Sequence, residues 1–293
     1  METPIKVFIA ATPSEWLPAR VLEFSVQETA SVPVSVQSIH GFNRPIPIPA
    51  SLKNRPRTPF SFQRFLIPEL CEFTGRAIYL DADMLVFRDI MEIWQQDLTD
   101  CDLQTVMDAK RGRRKQFSVM LLNCETLHWN LGQIVADLDA GKMDYAGLMY
   151  EMRVAKRIRS DIPTEWNSLE HFEAGRTALL HYTDMSTQPW IYAAHPLGHL
   201  WLASLRRALK SGFITHDELQ REIEQGHVRP SLLAQIETGR DNLRAGEARK
   251  FDEAFRAPYL ELQTAGKSSP WTSRGAALRA SLLRAYDRIR LAR

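Results

Sequence analysis

An apolar strand-like run, Ala77-Ile78-Tyr79-Leu80, leads straight into two aspartates one residue apart, Asp81 and Asp83, before apolar residues resume at Met84-Leu85-Val86. In a strand, residues i and i+2 point to the same side. At the strand's end two carboxylates can therefore converge on one divalent cation. The carboxyl ends of strands in open α/β sheets are also where ligands bind. Hard carboxylate oxygens suit Mg²⁺ or Mn²⁺, metals that usually arrive with a phosphate-bearing substrate. Aspartates at a strand end also serve simply as turn and cap residues. The setting favours the metal, because both flanks are apolar and a sheet is already patterned before the pair.

That pattern extends through the front of the chain, where short apolar runs alternate with helical spacing, the order of an α/β protein. Residues 6–11 read as a buried strand, 17–28 as a helix and 32–39 as a second strand. Pro45, Pro47, Pro49, Pro56 and Pro59 make the stretch from 43 to 59 an irregular connection. A helix interrupted near Pro68 is expected over 61–73, then strands at 76–80, 103–107 and 117–122. Residues 127–140 read as a helix closed by Gly141, and 178–182 as a last short strand. Beyond Pro196 the strand signal fades. Residues 200–210, 215–225, 230–236 and 274–293 then carry helical patterns.

Composition sets outer limits. The 293 residues are 44% hydrophobic and 25% charged, which excludes disorder and fibrous repeats. No apolar run approaches the ~20 residues that span a bilayer, and the first residues lack a signal-peptide pattern. A cytoplasmic protein is expected. Cys71, Cys101 and Cys124 have no metal-ligand spacing and read as reduced, idle thiols. Charge is uneven: residues 1–196 hold 20 Lys/Arg against 24 Asp/Glu, and residues 197–293 hold 17 against 11. The expected division is thus a catalytic region over 1–196 and a mainly helical, basic region over 197–293. The basic tail lacks a motif for nucleic acid, which is not expected as a partner. The helix at 274–293 sets a Leu stripe against several arginines. It suits either packing on the domain or peripheral contact with the inner face of an anionic membrane.

Tyr79-Leu80-Asp81-Ala82-Asp83-Met84-Leu85-Val86, followed by Asp89-Ile90 and Trp94, resembles the core signature of glycosyltransferase family 8, the bacterial galactosyltransferase and glycogenin group. Three further segments resemble the family in its order. They are Thr58-Pro59-Phe60-Ser61-Phe62-Gln63-Arg64-Phe65, Pro163-Thr164-Glu165-Trp166-Asn167, and His181-Tyr182-Thr183 with Pro189-Trp190. Together they span about residues 5–195. The resemblance implies a GT-A nucleotide-sugar transferase fold: α/β, with a mixed, mainly parallel central sheet flanked by helices, here with a helical C-terminal extension. It implies transfer of a sugar from a UDP-sugar or related donor, with retention, to a saccharide, glycolipid or protein acceptor. It also implies Mn²⁺ (or Mg²⁺) held by Asp81, Asp83 and His181. The imidazole ligand favours Mn²⁺. Arg64 is implied near the ribose or diphosphate, and Asn167 at the chemistry, where it hydrogen-bonds the sugar or caps a helix.

The chain departs from the family at several positions. Ala10-Ala11-Thr12-Pro13 stands where an Asp or Asn grips the uracil, leaving Thr12 there. Gln116 replaces an Asn amide, with Phe117 and Ser118 altering the sugar pocket. Gln188 stands in place of a phosphate-gripping Lys and brings no charge. Asp108 can approach the donor sugar or serve a turn. The cluster Lys110 to Lys115 is a solvated loop, or contacts an anionic acceptor, or supplies the charge that Gln188 lacks. His195, His199 and His227 read as structural or exposed. Two other readings stand beside the transferase: a non-catalytic GT-A-like domain that binds a saccharide or partner, and a haloacid-dehalogenase-type phosphatase. The phosphatase reading is weakened because that chemistry places its aspartates on the first strand.

Overall fold

The computed structural model describes residues 4–58, 60–107, 117–243 and 245–258. Asp108, Gln116, the 110–115 cluster and the 274–293 pattern lie outside them. Strand β1 (Ile5–Ala10) leads into helix α1 (Trp16–Thr29) and strand β2 (Val34–Ser38). After the proline-rich connection come α2 (Ile67–Leu70), β3 (Arg76–Asp81), β4 (Met84–Val86), α3 (Met91–Trp94), β5 (Leu103–Val106) and β6 (Val119–Asn123). Then follow α4 (Leu131–Asp139), α5 (Tyr145–Met149), β7 (Ile158–Ile162), β8 (Ser168–Leu169) and β9 (Leu179–His181). Helices α6 (Gly198–Lys210), α7 (His216–Glu224), α8 (Ser231–Thr238) and α9 (Ala245–Phe251) complete the order.

Six strands form one sheet in the order β2-β1-β3-β6-β5-β7. β1 runs parallel to β2 and β3, and β5 parallel to β7, while β6 lies antiparallel to both β3 and β5. The sheet is thus mixed and mainly parallel, as the resemblance implies. Its central strands have unbroken apolar runs because both faces are covered. Val7, Ile9, Ile78, Leu80, Val119 and Leu121 enter one core, and Phe8, Ala10, Ala77, Tyr79, Met120 and Leu122 enter the other. Each is at most 2% exposed. At about 1.5–3 kcal/mol for each large side chain buried, these two faces hold the strands more firmly than any local propensity does.

A second, three-stranded sheet, β4-β9-β8, builds the functional end. β4 pairs antiparallel with β9, setting Met84 opposite His181. β8 pairs parallel with β9, setting Leu169 opposite His181. The Tyr182 amide donates to the Asp83 carbonyl at 2.9 Å and continues the ladder into the turn.

Helix α1 starts beyond a capping box, in which Thr12 and Glu15 exchange side-chain and backbone hydrogen bonds. Pro18 lies in its first turn, where a missing N–H costs nothing. The helix buries Leu17 and Val21 against α6–α8 and Leu22 and Val26 against the main sheet. Helices α6–α8 therefore share a core with the front of the chain, and Met1–Ala257 form one compact unit. The compositional change near residue 196 marks a switch from mixed to helical structure. The second unit, Pro258–Arg293, lies outside the described residues apart from Pro258.

Two expected helices are corrected. Over 61–73 the chain makes a 3-10 turn, Gln63–Leu66, and then the short α2, with Pro68 in its first turn rather than at a break. Over 127–140 only Leu131–Asp139 is helical, because Asn130 caps it through the Gln133 amide and fixes the start four residues late. The strands β4, β7 and β8 were not expected from pattern. They are short, and β7 is half-buried with a polar centre, so no periodicity announces them.

Candidate functional site

Asp81 is the last residue of β3, and Asp83 sits beyond it in the two-residue turn to β4. The pair therefore does not lie along one strand face. The β4–β9 pairing brings His181 up to it. One ligand atom from each of Asp81, Asp83 and His181 lies within 4.8 Å of the others; Asp81 and His181 are buried, and the Asp83 side chain is 13% exposed.

Each of the three is held by a partner the sequence did not announce as such. Asp81 Oδ1 accepts from Arg64 Nη2 at 3.2 Å and from the Tyr79 hydroxyl. The Arg64 guanidinium also donates to the carbonyls of Phe117 (2.9 Å) and Ser61 (3.0 Å) and lies 4.6 Å from the Tyr79 ring centre. Burial pushes the Arg64 pKa down, but Tyr79 and Asp81 outweigh it, so the cation is held. Asp83 Oδ2 accepts from Gln188 Nε2 at 3.1 Å, and the same amide donates to the Tyr182 carbonyl at 2.9 Å. His181 Nδ1 lies 2.9 Å from Asn167 Oδ1. A carboxamide oxygen only accepts, so Nδ1 carries the proton and Nε2 of the neutral ring presents its lone pair.

That nitrogen faces Asp83. His181 Nε2 stands 3.1 Å from Asp83 Oδ1, yet the contact is not aligned as a hydrogen bond, and among the described residues Oδ1 has no other donor. A buried carboxylate oxygen without a donor is costly unless a cation sits beside it. Two carboxylates and an imidazole make a hard, borderline donor set that fits Mn²⁺ or Mg²⁺. Without a cation, burial pushes the His181 pKa down while the Asp83 carboxylate pushes it up and prevails.

The surrounding cleft is lined by, among others, Glu15, Arg57, Arg64, Ser118, Tyr145 and Gln188. Among the described lining residues are three carboxylates, those of Glu15, Asp81 and Asp83, and two guanidiniums, of which Arg64 is matched with Asp81.

Of the expected site residues, Asp81, Asp83, His181, Arg64 and Gln188 line this cleft, and Asn167 stands directly behind His181. Thr12 is not among the described lining residues. Its hydroxyl is engaged by Glu15 and Ser14 in the cap before α1. Gln116 and Asp108 lie outside the described residues. Gln63 had no assigned role, but its amide grips both the N–H and C=O of Ala11, at 3.0 and 2.8 Å, and locks the Arg64 segment to the end of β1. His195 is buried rather than exposed. It accepts from the Leu197 amide at Nδ1, and its Nε2 donates to Glu170 at 3.1 Å. Glu170 also accepts from Thr183 and the Asp184 amide. Burial raises its pKa, but these hydrogen bonds, His195 first, hold it below the usual carboxylate value. The three cysteines are free and buried. Among the described residues no helix is long and apolar enough to cross a membrane.

Residues 37–158 match the family model described as Glycosyl transferase family 8. Protein CDI of Arabidopsis thaliana is 31% identical over 107 residues, covering 33% of this chain and 38% of that protein. Glycosyltransferase 8 domain-containing protein 2 of Macaca fascicularis is 26% identical over 126 residues, 36% of each chain. The matched stretch therefore spans little more than a third of these curated relatives. Among solved structures, the bifunctional glycosyltransferase WbbM in its apo form superposes with a TM-score of 0.51 at 12% identity, over 73% of this chain and 51% of its own. The galactosyltransferase LgtC, in complex with donor and acceptor sugar analogs, gives 0.47 at 14%, over 74% and 100%. The WbbM likeness bears on fold alone. It places the chain in the GT-A fold, and the match to the family 8 model takes in the Asp81–Asp83 segment.

Proposed function

We propose that this protein transfers a sugar from a nucleotide-sugar donor, of which a UDP-sugar is the first choice, to a saccharide, glycolipid or protein acceptor. Retention of anomeric configuration is part of this reading. The observation that carries it is the buried Asp83 Oδ1, which has no hydrogen-bond donor among the described residues and stands 3.1 Å from His181 Nε2. A divalent cation bound there supplies Lewis-acid stabilisation of the charge that builds on a departing diphosphate. The chain's own residues prepare the site for it. Asn167 fixes the His181 tautomer, Arg64 and Tyr79 orient Asp81, and Gln188 orients Asp83, so little reorganisation is needed on binding.

The phosphatase alternative requires an aspartate free to attack phosphorus. Asp81 Oδ1 is instead taken by Arg64 and Tyr79, and Asp81 ends the third strand rather than the first. Calorimetric titration with a panel of nucleotide-sugars, in Mn²⁺ and in chelator, tests the transferase reading. One donor should bind only with Mn²⁺ and be hydrolysed slowly without acceptor, and NMR of the released sugar reads the anomer formed first. A folded protein that binds none of the panel would falsify it.

A further inference from the structure

The cleft has one described cation that no carboxylate has claimed. Arg64 is 3% exposed and bound on several sides. Arg57, near the end of the proline-rich connection, is exposed at the cleft wall, and no carboxylate among the described residues pairs with it. Its guanidinium carbon lies 4.9 Å from the Tyr145 ring centre and 5.5 Å from that of Tyr150, and Nη1 donates to the Tyr150 hydroxyl at 2.6 Å. Tyr145 is stacked on buried Phe62 at 6.5 Å, which ties this mount to the core. A guanidinium has five N–H donors in a planar fork. Stacking and one hydrogen bond fix its plane and leave most of those donors for a ligand. Gln188, which also lines the cleft, is neutral and already committed to Asp83 and the Tyr182 carbonyl.

We infer that Arg57, mounted on Tyr145 and Tyr150, is the residue that grips a phosphate of the donor's diphosphate. Asp81, Asp83 and His181 would hold the metal that neutralises the diphosphate, and Arg57 would add its own hydrogen bonds to a phosphate oxygen. This rests on the nucleotide-sugar reading of the same cleft. Among the described residues, Glu15, Asp81 and Asp83 line the cleft against two guanidiniums, of which Arg64 is paired with Asp81, so Arg57 is the described cation left for a diphosphate. A charge-assisted, bidentate contact from a preoriented arginine suits that role.

The test titrates UDP, GDP, CDP and ADP, each with Mn²⁺, into wild type and Arg57→Gln, and carries the tightest binder forward with its monophosphate and its nucleoside. The diphosphate should lose about 10-fold or more in affinity in the variant, the monophosphate less, and the nucleoside nothing. The salt dependence of diphosphate binding should flatten. Mn²⁺ binding alone, read by electron paramagnetic resonance, and the melting temperature should stay at wild-type values, because Arg57 is exposed and touches none of the three ligands. Equal diphosphate affinity in wild type and Arg57→Gln overturns the Arg57 assignment while leaving the nucleotide-sugar reading standing. Wild type that binds none of the four diphosphates sinks both.

Discussion

Asn167 Oδ1 stands 2.9 Å from His181 Nδ1, on the far side of the ring from Asp83. The register of the small sheet produces this contact: Asn167 immediately precedes β8, and β8 runs beside the strand that ends at His181. With the acceptor gone, His181 can place its proton on either nitrogen and its ring loses its anchor. Asn167→Leu should therefore weaken Mn²⁺ binding about 10- to 100-fold. Asn167→Asp keeps an acceptor and should stay near wild type. Titration of Mn²⁺ by electron paramagnetic resonance reads both, and undiminished binding in Asn167→Leu would make the contact mere packing.

The two aspartates differ in what they hold up. Asp81→Ala strips the carboxylate from the buried Arg64 guanidinium, whose side chain is 4% exposed. An uncompensated buried charge costs about 3–5 kcal/mol. Asp83→Asn is nearly isosteric: its amide oxygen can still accept from Gln188 and its NH₂ can face His181 Nε2. That variant should unfold within about 1 kcal/mol of wild type, in the range of ordinary tolerated changes, while metal-dependent turnover disappears. Urea unfolding beside a donor-hydrolysis assay separates the two effects. Equal stability losses would mean that Arg64 does not depend on Asp81.

Acid sensitivity has an address far from the cleft. Asp102 accepts from the Lys156 and Arg157 amides, both at 3.0 Å, and from Arg157 Nε and Nη2 at 3.2 and 2.8 Å. Burial raises its pKa, but these donors, the Arg157 side chain first, outweigh it and hold the carboxyl below the usual range. The unfolded chain therefore takes up this proton first as pH falls. The stabilisation is fully present above about pH 4, the unfolded carboxylate value, and is lost as pH drops through the lower folded value. Asp102→Asn should cost about 1–2 kcal/mol at pH 7 and flatten the decline of stability between about pH 4 and 2. Urea melts across that range check it.

The sequence announced what local chemistry encodes. Strand β3, the aspartates at its end and the apolar strands either side of it were legible because burial on both faces leaves an unbroken apolar run. That His181 joins the two aspartates was legible only through resemblance, since nothing near it in sequence marks it. Its partners were hidden for the same reason. Gln63 with Ala11, Gln188 with Asp83 and Glu170 with His195 are separated by 52, 105 and 25 residues, and only the folded sheets bring them together. Arg64, expected near the donor, lines the cleft, and its bonds to Asp81, Ser61 and Phe117 could not be read from its residue type. The short strands β4 and β8, which decide the site's geometry, have too few residues to show a period.

Arg229 joins the helical region to the segment that follows Gln188. It is 1% exposed, and burial pushes its pKa down to about 10. Nε donates to the Pro189 carbonyl at 2.9 Å, Nη1 to Ser231 Oγ at 2.6 Å, and Nη2 to Gln235 Oε1. Its own amide donates to the Trp190 carbonyl at 2.9 Å. Pro189 follows Gln188, so this one side chain anchors the segment whose amide orients Asp83. Arg229→Met keeps most of the volume but leaves a carbonyl, a hydroxyl and an amide oxygen without their donor, a loss of about 3 kcal/mol or more. Arg229→Lys should recover little, because a point charge cannot span three acceptors. With Gln188 less firmly placed, Mn²⁺ affinity should fall together with stability in both variants. A loss of stability with Mn²⁺ affinity unchanged would show that Gln188 is positioned by the β9 side of the loop alone, through the Tyr182 carbonyl.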